Sequence, residues 1–555
     1  MQFKFLLVYL LIGTIFLIYR ILGIYIFIYL FFFNTCFIIE WDFFFSSSIT
    51  REIFIYLDIF FFLMSSIVRL IRGNVIFYSV YYMGKGKYNY RFLFLLVSFI
   101  LRIFFFICTP NIVRIFLGWD GLGLTSYLLV NFYGNRRRTN SAILTVLTNR
   151  LGDVFLLVGV FFSLSIGGWK FIFWEELTAP FIFVLARFTK RAQLPFSRWL
   201  PFAIAAPTPV SSLVHSSTLV TAGVFFIFRL FDLIKDNSLY LIFTTGILTM
   251  LISSVCAIFE SDLKKVIALS TLRQLGMIII LLGLGFKNFC FFHLIAHALF
   301  KSALFMSMGC KIHEFGNSQD SRSLGMLWKN NITDFFFGVT NLALIGFPFM
   351  SGFFSKDLGL EFMLSRNLNF LLRIFFLLRI TLTVSYRLKF VMLRRINFSN
   401  FWPLTSYNLN DKFRIASLLI LLKLRTIFGY IYFKVFLDNS VIIDLLIIIK
   451  FSILFFIFNI FLFINNYLSI KIIFKNKFSS FYRFLFFLRE LTRSVKANLL
   501  EFMWSFKSLD RGYLDLVKST TLVSRLRSAS IYLESIIIFS SFIFLNLLLY
   551  NSTLI

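Results

Sequence analysis

The chain has 555 residues, of which 59% are hydrophobic and 14% are charged, and its formal net charge is +30. Its mean hydropathy is +0.87. No water-soluble fold can bury so large an apolar fraction, so the composition excludes an ordinary soluble enzyme and indicates an integral membrane protein. A charge of this sign would suggest nucleic-acid binding in a soluble protein, but here the basic clusters lie between apolar segments, where they meet anionic lipid head groups.

Membrane-length apolar segments recur along almost the whole chain. A bilayer core of about 30 Å needs about 20 mostly apolar residues per helix, and about fifteen segments meet that condition. The clearer candidates lie near 92–117, 141–165, 208–230, 239–258, 289–308, 364–386, 415–436, 441–465 and 531–550. The sequence therefore predicts an all-α polytopic membrane protein with about 15–16 transmembrane helices. The first segment, Met1 to Tyr19, is similar to a secretory signal, but no small-residue cleavage site follows, so we interpret it as a retained membrane helix.

The charged loops, the cysteines and the overall composition indicate the orientation and the origin of the chain. Basic clusters at 85–91, 136–138 and 394–395 lie between apolar runs and are expected to mark the matrix or cytoplasmic side of the membrane. The five cysteines form no CxxC pair, so neither a disulfide framework nor an iron–sulfur site is indicated. The 82 Phe residues, with plentiful Ile, Asn and Tyr, are typical of an AT-rich coding genome such as that of many organelles.

Two interruptions divide segments of membrane length. Three prolines fall within residues 201–209, and Gly346, Pro348 and Gly352 fall within residues 346–352. Proline breaks a helix, and discontinuous helices at corresponding places in two halves are typical of inverted-repeat transporters with an ion path near the membrane midplane. Proline kinks without a function are also common, but each interruption lies close to a lysine, which favours transport.

The C-terminal part has a different character. Residues 471–530 hold twelve Lys or Arg and four acidic residues among many apolar ones, and an apolar run follows at 531–550. Phe481, Phe484 and Leu485 recur at helical spacing. This pattern favours a long amphipathic helix along a surface, followed by a terminal anchor, over a solvated linker.

Charged residues inside the apolar segments are few, and each needs a reason because a charge at the centre of a membrane helix costs about 2.5–3.5 kcal/mol. Asp120 lies within one such segment. Asp153 follows Arg150 by three residues on the same helix face, so Arg150 is its candidate partner. Lys190 precedes the first interruption and His215 follows it.

His293, His297 and Lys301 recur every four residues and therefore lie along one stripe of a single helix. Imidazole exchanges protons near neutral pH, and burial makes a lysine exchange its proton more readily, so three such groups in a row predict a proton relay. A metal site at the two histidines is an alternative, but no Glu adjoins the first and no third ligand is indicated. Hydrogen-bonded core groups without a transport role are the other alternative.

Lys356 and Asp357 follow the second interruption. Lys264 and Lys265 begin an apolar run, so snorkelling at a helix end explains them and we leave them out of the predicted site. The sequence contains no Walker loop, nucleophile elbow or dinucleotide fingerprint. A buried Lys and a carboxylate titrate as a coupled pair, and moving the carboxylate away lets the Lys release its proton. This inventory predicts proton movement rather than bond cleavage.

Several blocks of sequence match one family in its order. They are Gly118–Tyr127, Asn149–Asp153, Trp199–Thr218, Asp262–Lys265, Ser270–Gly276, His297–Lys301 and Phe347–Asp357. Together they resemble the chain 5 family of NADH:ubiquinone oxidoreductase, a set of antiporter-like subunits in the membrane arm of respiratory complex I. The resemblance covers residues 118–357 and is architectural outside them.

The resemblance implies two inverted five-helix repeats with broken helices, a long lateral helix and a terminal membrane helix. It makes Asp120, where the family usually has Glu, the carboxylate partner of Lys190, either directly or through water because Asp is one methylene shorter. Lys301 matches the central lysine of the family and Lys356 the lysine of the second broken helix. The whole predicted relay is Asp120, Asp153, Lys190, His215, His293, His297, Lys301, Lys356 and Asp357.

The predicted organisation combines these features. It has N-terminal transmembrane helices at 1–91, a first repeat at 92–258, a second repeat at 259–390, additional helices at 391–470, a lateral helix at 471–530 and a terminal helix at 531–555. The resemblance implies that partner subunits bind NADH, FMN, iron–sulfur clusters and quinone, so no cofactor or metal is expected in this chain. It also implies an organelle-encoded protein of the mitochondrial inner membrane, beside another antiporter-like subunit and anionic lipids, with no nucleic-acid partner.

Two other functions compete with proton pumping in complex I. A free-standing multisubunit cation/proton antiporter has a similar large subunit, but further helices are expected after this region there, whereas this sequence ends at Ile555. A structural scaffold that has lost pumping is expected to have apolar residues in place of the buried Lys and His, which are present here.

Overall fold

The computed structural model describes most of the first 361 residues and a few shorter segments beyond them. The described residues are 2–33, 35–42, 52–84, 86, 88–164, 180–234, 236–314, 318–320, 331–347, 350–357, 359–361, 375, 381–386, 411–432 and 434. The helices predicted at 441–465 and 531–550 and the amphipathic segment 471–530 lie outside these residues, as does most of the helix predicted at 364–386.

Helices make up most of the described chain. They are α1 (Gln2–Phe33), α2 (Ile59–Met83), α3 (Asn89–Cys108), α4 (Ile112–Val130), α5 (Arg136–Leu164), α6 (Pro180–Arg191), α7 (Trp199–Ala203), α8 (Thr208–Leu213), α9 (Leu219–Arg229), α10 (Asp236–Phe259), α11 (Leu263–Gly283), α12 (Lys287–Glu314), α13 (Asn331–Ile345) and α14 (Asp411–Tyr432). A π-helical turn, Val214–Thr218, joins α8 to α9.

Nine helices of the described residues are long and apolar enough to cross a membrane, which confirms the polytopic membrane class. The predicted total of about 15–16 stays a prediction. The most apolar window of α12 is entirely buried and that of α11 is 94% buried, against 11% for α1. Helices that are apolar on all sides belong in an interior. The ionisable stripe on α12 therefore lies in the core of the bundle.

A β-hairpin follows α1, which the sequence did not indicate. Strands β1 (Phe37–Asp42) and β2 (Glu52–Leu57) pair in antiparallel register with Phe37 opposite Leu57. Short apolar runs have no periodicity that separates strand from helix, and Phe, Ile and Tyr favour strands. Asp58, directly after β2, accepts a hydrogen bond from Phe61 N at 2.9 Å and so caps α2. The hairpin therefore ends where the next membrane helix begins.

The first helix interruption has two parts, at 192–198 between α6 and α7 and at 204–207 between α7 and α8. Pro201 lies inside α7, whereas Pro207 stands at the N-cap of α8. Proline is tolerated at such helix starts because the N–H that it lacks has no helical partner there. The predicted range 201–209 contains the second part, and the longer first part lies upstream of it.

The second interruption begins where α13 ends at Ile345. Gly346 has a φ of +99°, in the region that favours glycine. The helix resumes at 351 and continues into a π-helical turn, Phe353–Asp357. This turn carries the lysine and the carboxylate that the sequence placed after the break.

Two of the basic segments lie at the same end of the bundle. Tyr133 Oη, after α4, donates to Met83 Sδ at the end of α2 at 3.5 Å. The guanidinium carbon of Arg138 lies 4.4 Å from the centre of the Tyr133 ring. We call this end, with Met83 and Arg138, the basic face. Because cationic loops stay on the matrix or cytoplasmic side, the basic face is the one expected to face that side.

Candidate functional site

Lys190 lies in the last turn of α6, directly before the first interruption, and is buried. Its Nζ donates to the backbone O of Trp119 on α4 at 3.2 Å and lies 4.9 Å from the centre of the Trp119 ring. A carbonyl oxygen and the face of an indole both attract a cation, and a buried ammonium group needs such partners. Trp199, beyond the break, donates its indole N–H to Thr189 O at 2.7 Å and so satisfies a carbonyl at the end of α6.

Gly123, one turn along α4 from Trp119, leaves the space that the Lys190 amino group occupies. A Cβ atom at this position would lie 3.3 Å from Lys190 Nζ and 3.7 Å from Asn149 Nδ2. Any larger residue would therefore push the amino group away from its carbonyl partner.

Arg150 on α5 joins two of the predicted carboxylates. Its Nη1 lies 3.0 Å from Asp120 Oδ1 and 3.3 Å from Asp153 Oδ2, so the predicted pairing of Arg150 with Asp153 is confirmed. The side chain of Asp153 is 6% exposed and that of Asp120 is 29% exposed, whereas that of Arg150 is 48% exposed. The network therefore reaches from the interior to the edge of the bundle.

The resemblance implied that Asp120 partners Lys190 either directly or through water, and the structure shows no direct pair among the described residues. Asp120 pairs with Arg150 instead. The short Asp side chain and the competing guanidinium group explain the absence of a direct pair. Both carboxylates act electrostatically on Lys190, Asp153 more strongly than Asp120. Asp153 Oδ1 makes no hydrogen bond of normal geometry in the described part of the chain, and the Trp119 side chain also acts on this carboxylate.

The predicted stripe on α12 is fully buried and lies against α11 and the second interruption. Lys301 Nζ donates to Ser270 Oγ on α11 at 2.5 Å. The two ring nitrogens of His293 lie 3.1 Å from Ser355 Oγ and 3.1 Å from Gln274 Oε1. Both nitrogens are therefore engaged in hydrogen bonds, which argues against the metal alternative.

His297 lies between His293 and Lys301 on the same stripe. Within the described residues its two ring nitrogens have no hydrogen-bond partner, and its ring meets that of Phe300 edge to face at 5.6 Å. A buried imidazole has a donor and an acceptor to satisfy, and buried water commonly does so. Water at His297 would join the two hydrogen-bonded ends of the stripe.

Lys356 lies in the π-helical turn after the second interruption and is buried. Its Nζ donates to the backbone O of Ile345 at 2.6 Å and lies 3.5 Å from Thr383 Oγ1. Ile345 is the last residue of α13, and the last carbonyls of a helix lack helical partners and carry partial negative charge. The break thus supplies the acceptor for the Lys356 charge.

Asp357 lies against the glycine that opens the break. A Cβ atom on Gly346 would lie 2.6 Å from Asp357 Oδ2 and 3.0 Å from Asp357 Oδ1. Glycine is therefore required at this position twice, for its positive φ and for the space that the carboxylate fills.

The structure brings these groups together in two sets. Lys190, Asp153 and Asp120 form the first set around α4, α5 and α6. His293, His297, Lys301 and the Lys356–Asp357 pair form the second, because Ser355, the partner of His293, adjoins Lys356 in the chain. His215 was also predicted to belong to the relay. Its backbone lies in the π-helical turn that packs on α12, and its side chain lies outside the described residues.

Sequence reasoning missed several residues of the site. The snorkelling interpretation is wrong for Lys264, which is 5% exposed, whereas its neighbour Lys265 pairs with Asp262 at 2.5 Å at the edge. Ser270 and Gln274 are four residues apart on α11, the same spacing as on the facing stripe. That spacing is the signal that could have identified them.

A pair of buried hydroxyl groups lies between the first interruption and the basic face, where α2, α8 and α12 meet. Tyr78 Oη and Thr208 Oγ1 are 3.3 Å apart. Gly309 on α12 faces them, and a Cβ atom there would lie 2.8 Å from Thr208 Oγ1. Near the end of α12, Arg414 Nη1 donates to Glu314 Oε1 at 2.7 Å. Hydroxyl groups both donate and accept, so this seam can pass a proton.

Comparison with known proteins agrees on one family. A family model described as "NADH:quinone oxidoreductase/Mrp antiporter, TM" matches residues 109–382, which contain all nine residues of the predicted relay. The NADH-ubiquinone oxidoreductase chain 5 of Aedes aegypti is 38% identical over 491 residues, covering 84% of this chain and 84% of that protein. The chain 5 of Anopheles gambiae is 36% identical over 518 residues, covering 89% of each.

Two solved structures have a similar fold. An Mrp complex from Dietzia sp. gives a TM-score of 0.69 at 20% identity, covering 92% of this chain and 59% of that chain. The membrane-bound sulfane sulfur reductase, an archaeal respiratory membrane complex, gives 0.65 at 16% identity, covering 81% of this chain and 93% of that chain. At these identities the likeness concerns the fold alone.

Proposed function

This chain belongs to the NADH-ubiquinone oxidoreductase chain 5 family, and we propose that its buried lysines, histidines and carboxylates conduct protons across the membrane. It is a multi-pass membrane subunit of that oxidoreductase, within a membrane arm built from several subunits. Electron transfer from NADH to quinone in other subunits provides the driving force for this transport.

The observation that carries the proposal is the fully buried stripe on α12, in which His293 and Lys301, at its two ends, contact hydroxyl and amide groups. Lys301 donates to Ser270, and His293 contacts Ser355 and Gln274. A buried charge without such partners is strongly unfavourable, and ionisable groups inside a membrane mark ion pathways. A structural scaffold would be expected to have apolar residues at these positions.

We assign the switch to the first set of residues. When Lys190 is protonated, the Trp119 carbonyl and the nearby Asp153 carboxylate stabilise its charge. Arg150 holds Asp153 and Asp120 together and is half exposed, so it can move. A stronger pull of Arg150 on Asp153 weakens the hold on the Lys190 proton, which then passes toward α12.

Proton uptake is assigned to the basic face, along the seam of α2, α8 and α12. The Tyr78 and Thr208 hydroxyl groups lie 3.3 Å apart within that seam. The serines of the following turns of α8, at 211 and 212, are fully buried and extend the polar line. The line leads toward the level of Lys301 on the antiparallel α12.

The surroundings follow from the family. We infer that NADH, FMN, iron–sulfur clusters and quinone are held by partner subunits, because the site described here exchanges protons only. A neighbouring antiporter-like subunit and anionic lipids are the proposed contacts. The mitochondrial inner membrane is the proposed location, and the Phe-rich composition supports organelle encoding.

The experiment compares two lysines of the same helix. Lys301→Met removes the proton-exchanging group at the centre of α12, whereas Lys287→Met removes a lysine that pairs with Asp232 at 2.5 Å at the start of that helix. NADH-driven proton uptake into vesicles is measured with the reconstituted complex, and assembly is checked on a native gel. Lys301→Met is expected to lose most pumping and Lys287→Met to retain it. Equal pumping by the two assembled variants contradicts the proposal.

A further inference from the structure

Two arginines on α6 are not used by the proton relay. Arg187 and Arg191 lie one helical turn apart, and both are fully buried with an exposure of 0%. Arginine stays charged under all conditions that a protein meets, so it cannot escape burial by losing a proton as lysine does. Two fixed positive charges therefore lie inside the bundle.

Neither guanidinium group has a polar partner among the residues that the structure describes. Within the described residues, none of the Nε, Nη1 and Nη2 atoms of Arg187 or Arg191 has a hydrogen-bond acceptor. Elsewhere the same chain pairs arginines with carboxylates, as in Arg229 with Asp58 at 2.7 Å and Arg414 with Glu314 at 2.7 Å. The buried Arg72 and Arg273 lack a carboxylate but each keeps one acceptor, Ile100 O and Tyr386 Oη, so among the buried arginines only the Arg187–Arg191 pair has none within the described structure.

The space around the pair is apolar and shaped for it. The guanidinium carbon of Arg187 lies 4.3 Å from the centre of the Phe226 ring. Gly223, one turn earlier on α9, makes room for Arg191, because a Cβ atom there would lie 3.0 Å from Arg191 Cγ. A ring face attracts one cation but leaves the charge and the hydrogen-bond donors unmatched.

We propose that Arg187 and Arg191 bind a small monovalent inorganic anion of the halide type between α6 and α9. A halide accepts hydrogen bonds from several directions and neutralises charge, whereas water satisfies the donors and leaves the charge in place. A phosphate group is larger than a halide and has four oxygens, and most of these would face an apolar wall on which the described residues supply no further donors. Full burial and the apolar wall therefore favour the smaller and more weakly hydrated anion.

The site has a consequence for the neighbouring lysine. Lys190 lies between the two arginines in the sequence, in the same turn of α6. An anion bound to the pair adds a negative charge beside the turn of α6 that carries the Lys190 ammonium group. This consequence rests on the proposed function, whereas anion binding itself does not.

The test uses the intact complex with bromide as the probe. Chloride in the buffer is replaced by bromide, and anomalous diffraction is collected at the bromine absorption edge. The native complex is expected to show an anomalous peak within hydrogen-bond distance of both guanidinium groups. The double variant Arg187→Met with Arg191→Met is expected to lose it. Arg198→Met, at the nearby break where the guanidinium lies over the Phe202 ring at 5.4 Å, is the matched control and is expected to keep it.

Three results would overturn the proposal. A native map with both arginines ordered and no bromine signal between them excludes the anion, and density without anomalous signal identifies water instead. A peak that persists in the double variant places the anion elsewhere. If the double variant does not assemble, the native complex alone decides, because absence of the peak there is sufficient. Proton pumping is not read in this experiment, so its failure leaves the relay untouched.

Discussion

Lys190 and Lys356 both lie beside a helix interruption, but the carbonyl that accepts from each comes from a different place. Lys356 donates to Ile345 O at 2.6 Å, at the end of the helix that its own break terminates. Lys190 donates to Trp119 O at 3.2 Å on a separate helix, and its carboxylates are held by the half-exposed Arg150. The closest acceptor of Lys356 is therefore local to its own break, with Thr383 Oγ1 of a later segment at 3.5 Å, whereas the site of Lys190 depends on three helices and can respond to their movement.

This difference suggests a division of work between the two breaks. A lysine held by its own helix end has one stable position, which suits a fixed station in a relay. A lysine whose neighbours include a movable ion-pair network suits a gate, because small shifts of Arg150 change the charge around it. Substitutions in the second break should therefore reduce assembly of the complex, whereas substitutions in the first should reduce the pumping rate.

The largest effect is expected from Gly346→Ala in the second break. The new Cβ would lie 2.6 Å from the Asp357 carboxylate, and a φ of +99° is strained for alanine. Backbone strain of this kind costs about 1–3 kcal/mol before the collision is added. The amount of assembled complex on a native gel should fall sharply. Normal assembly together with normal pumping would show that the break is looser than described. Gly338→Ala, on α13 where a Cβ meets nothing within 4 Å, is the matched control.

A smaller effect is expected from removing the buried carboxylate of the first break. Asp153→Asn leaves the shape intact but removes the carboxylate that acts most strongly on Lys190. A positioned proton-transfer group contributes about 10²–10⁴-fold to a rate, so the pumping rate should fall by about a hundredfold while assembly persists. Stopped-flow measurement of proton uptake by reconstituted vesicles provides this rate.

Asp120→Asn is the matched comparison in the same network. Asp120 is 29% exposed and pairs with Arg150, and partly exposed ion pairs contribute about 0–1 kcal/mol. Its rate should therefore fall much less than that of Asp153→Asn. The reverse order would make Asp120 the working partner of Lys190, as the family resemblance implied.

The smallest effect is expected from Gly123→Ala. Its Cβ would lie 3.3 Å from the Lys190 amino group, the far end of a flexible side chain that can shift by a few tenths of an ångström. A cost of about 1 kcal/mol is expected, with assembly unchanged and pumping modestly lower. Thermal unfolding of the purified complex measures the expected loss of stability. A loss as large as that for Gly346→Ala would remove the contrast between a flexible and a rigid lysine site.

The sequence predicted what depends on short spacing along one helix. The i, i+4 stripe of His293, His297 and Lys301 and the i, i+3 pairing of Arg150 with Asp153 are both present. The membrane class follows from hydropathy because the bilayer fixes the length of each apolar run. These features need no knowledge of how distant segments meet.

Contacts between residues that are far apart in the chain could not be predicted from the sequence. Trp119 O and Lys190 are 71 residues apart, and His293 and Ser355 are 62 apart, so no local pattern connects them. The pairing of Asp120 with Arg150 was missed because the family resemblance gives the role of a residue. It does not show which other charged side chain lies close to that residue. Lys264 was misjudged because its position at a helix start does not tell whether another helix covers it.

The most direct measurement is the number of protons moved per NADH oxidised by the intact complex in vesicles, compared among Lys190→Met, Lys356→Met and the control Lys287→Met. Lys190 and Lys356 are both buried in the relay, whereas Lys287 pairs with Asp232 outside it. Proton conduction through both breaks predicts a lower ratio in the first two variants and the native ratio in the third. A native ratio in both assembled relay variants would contradict it.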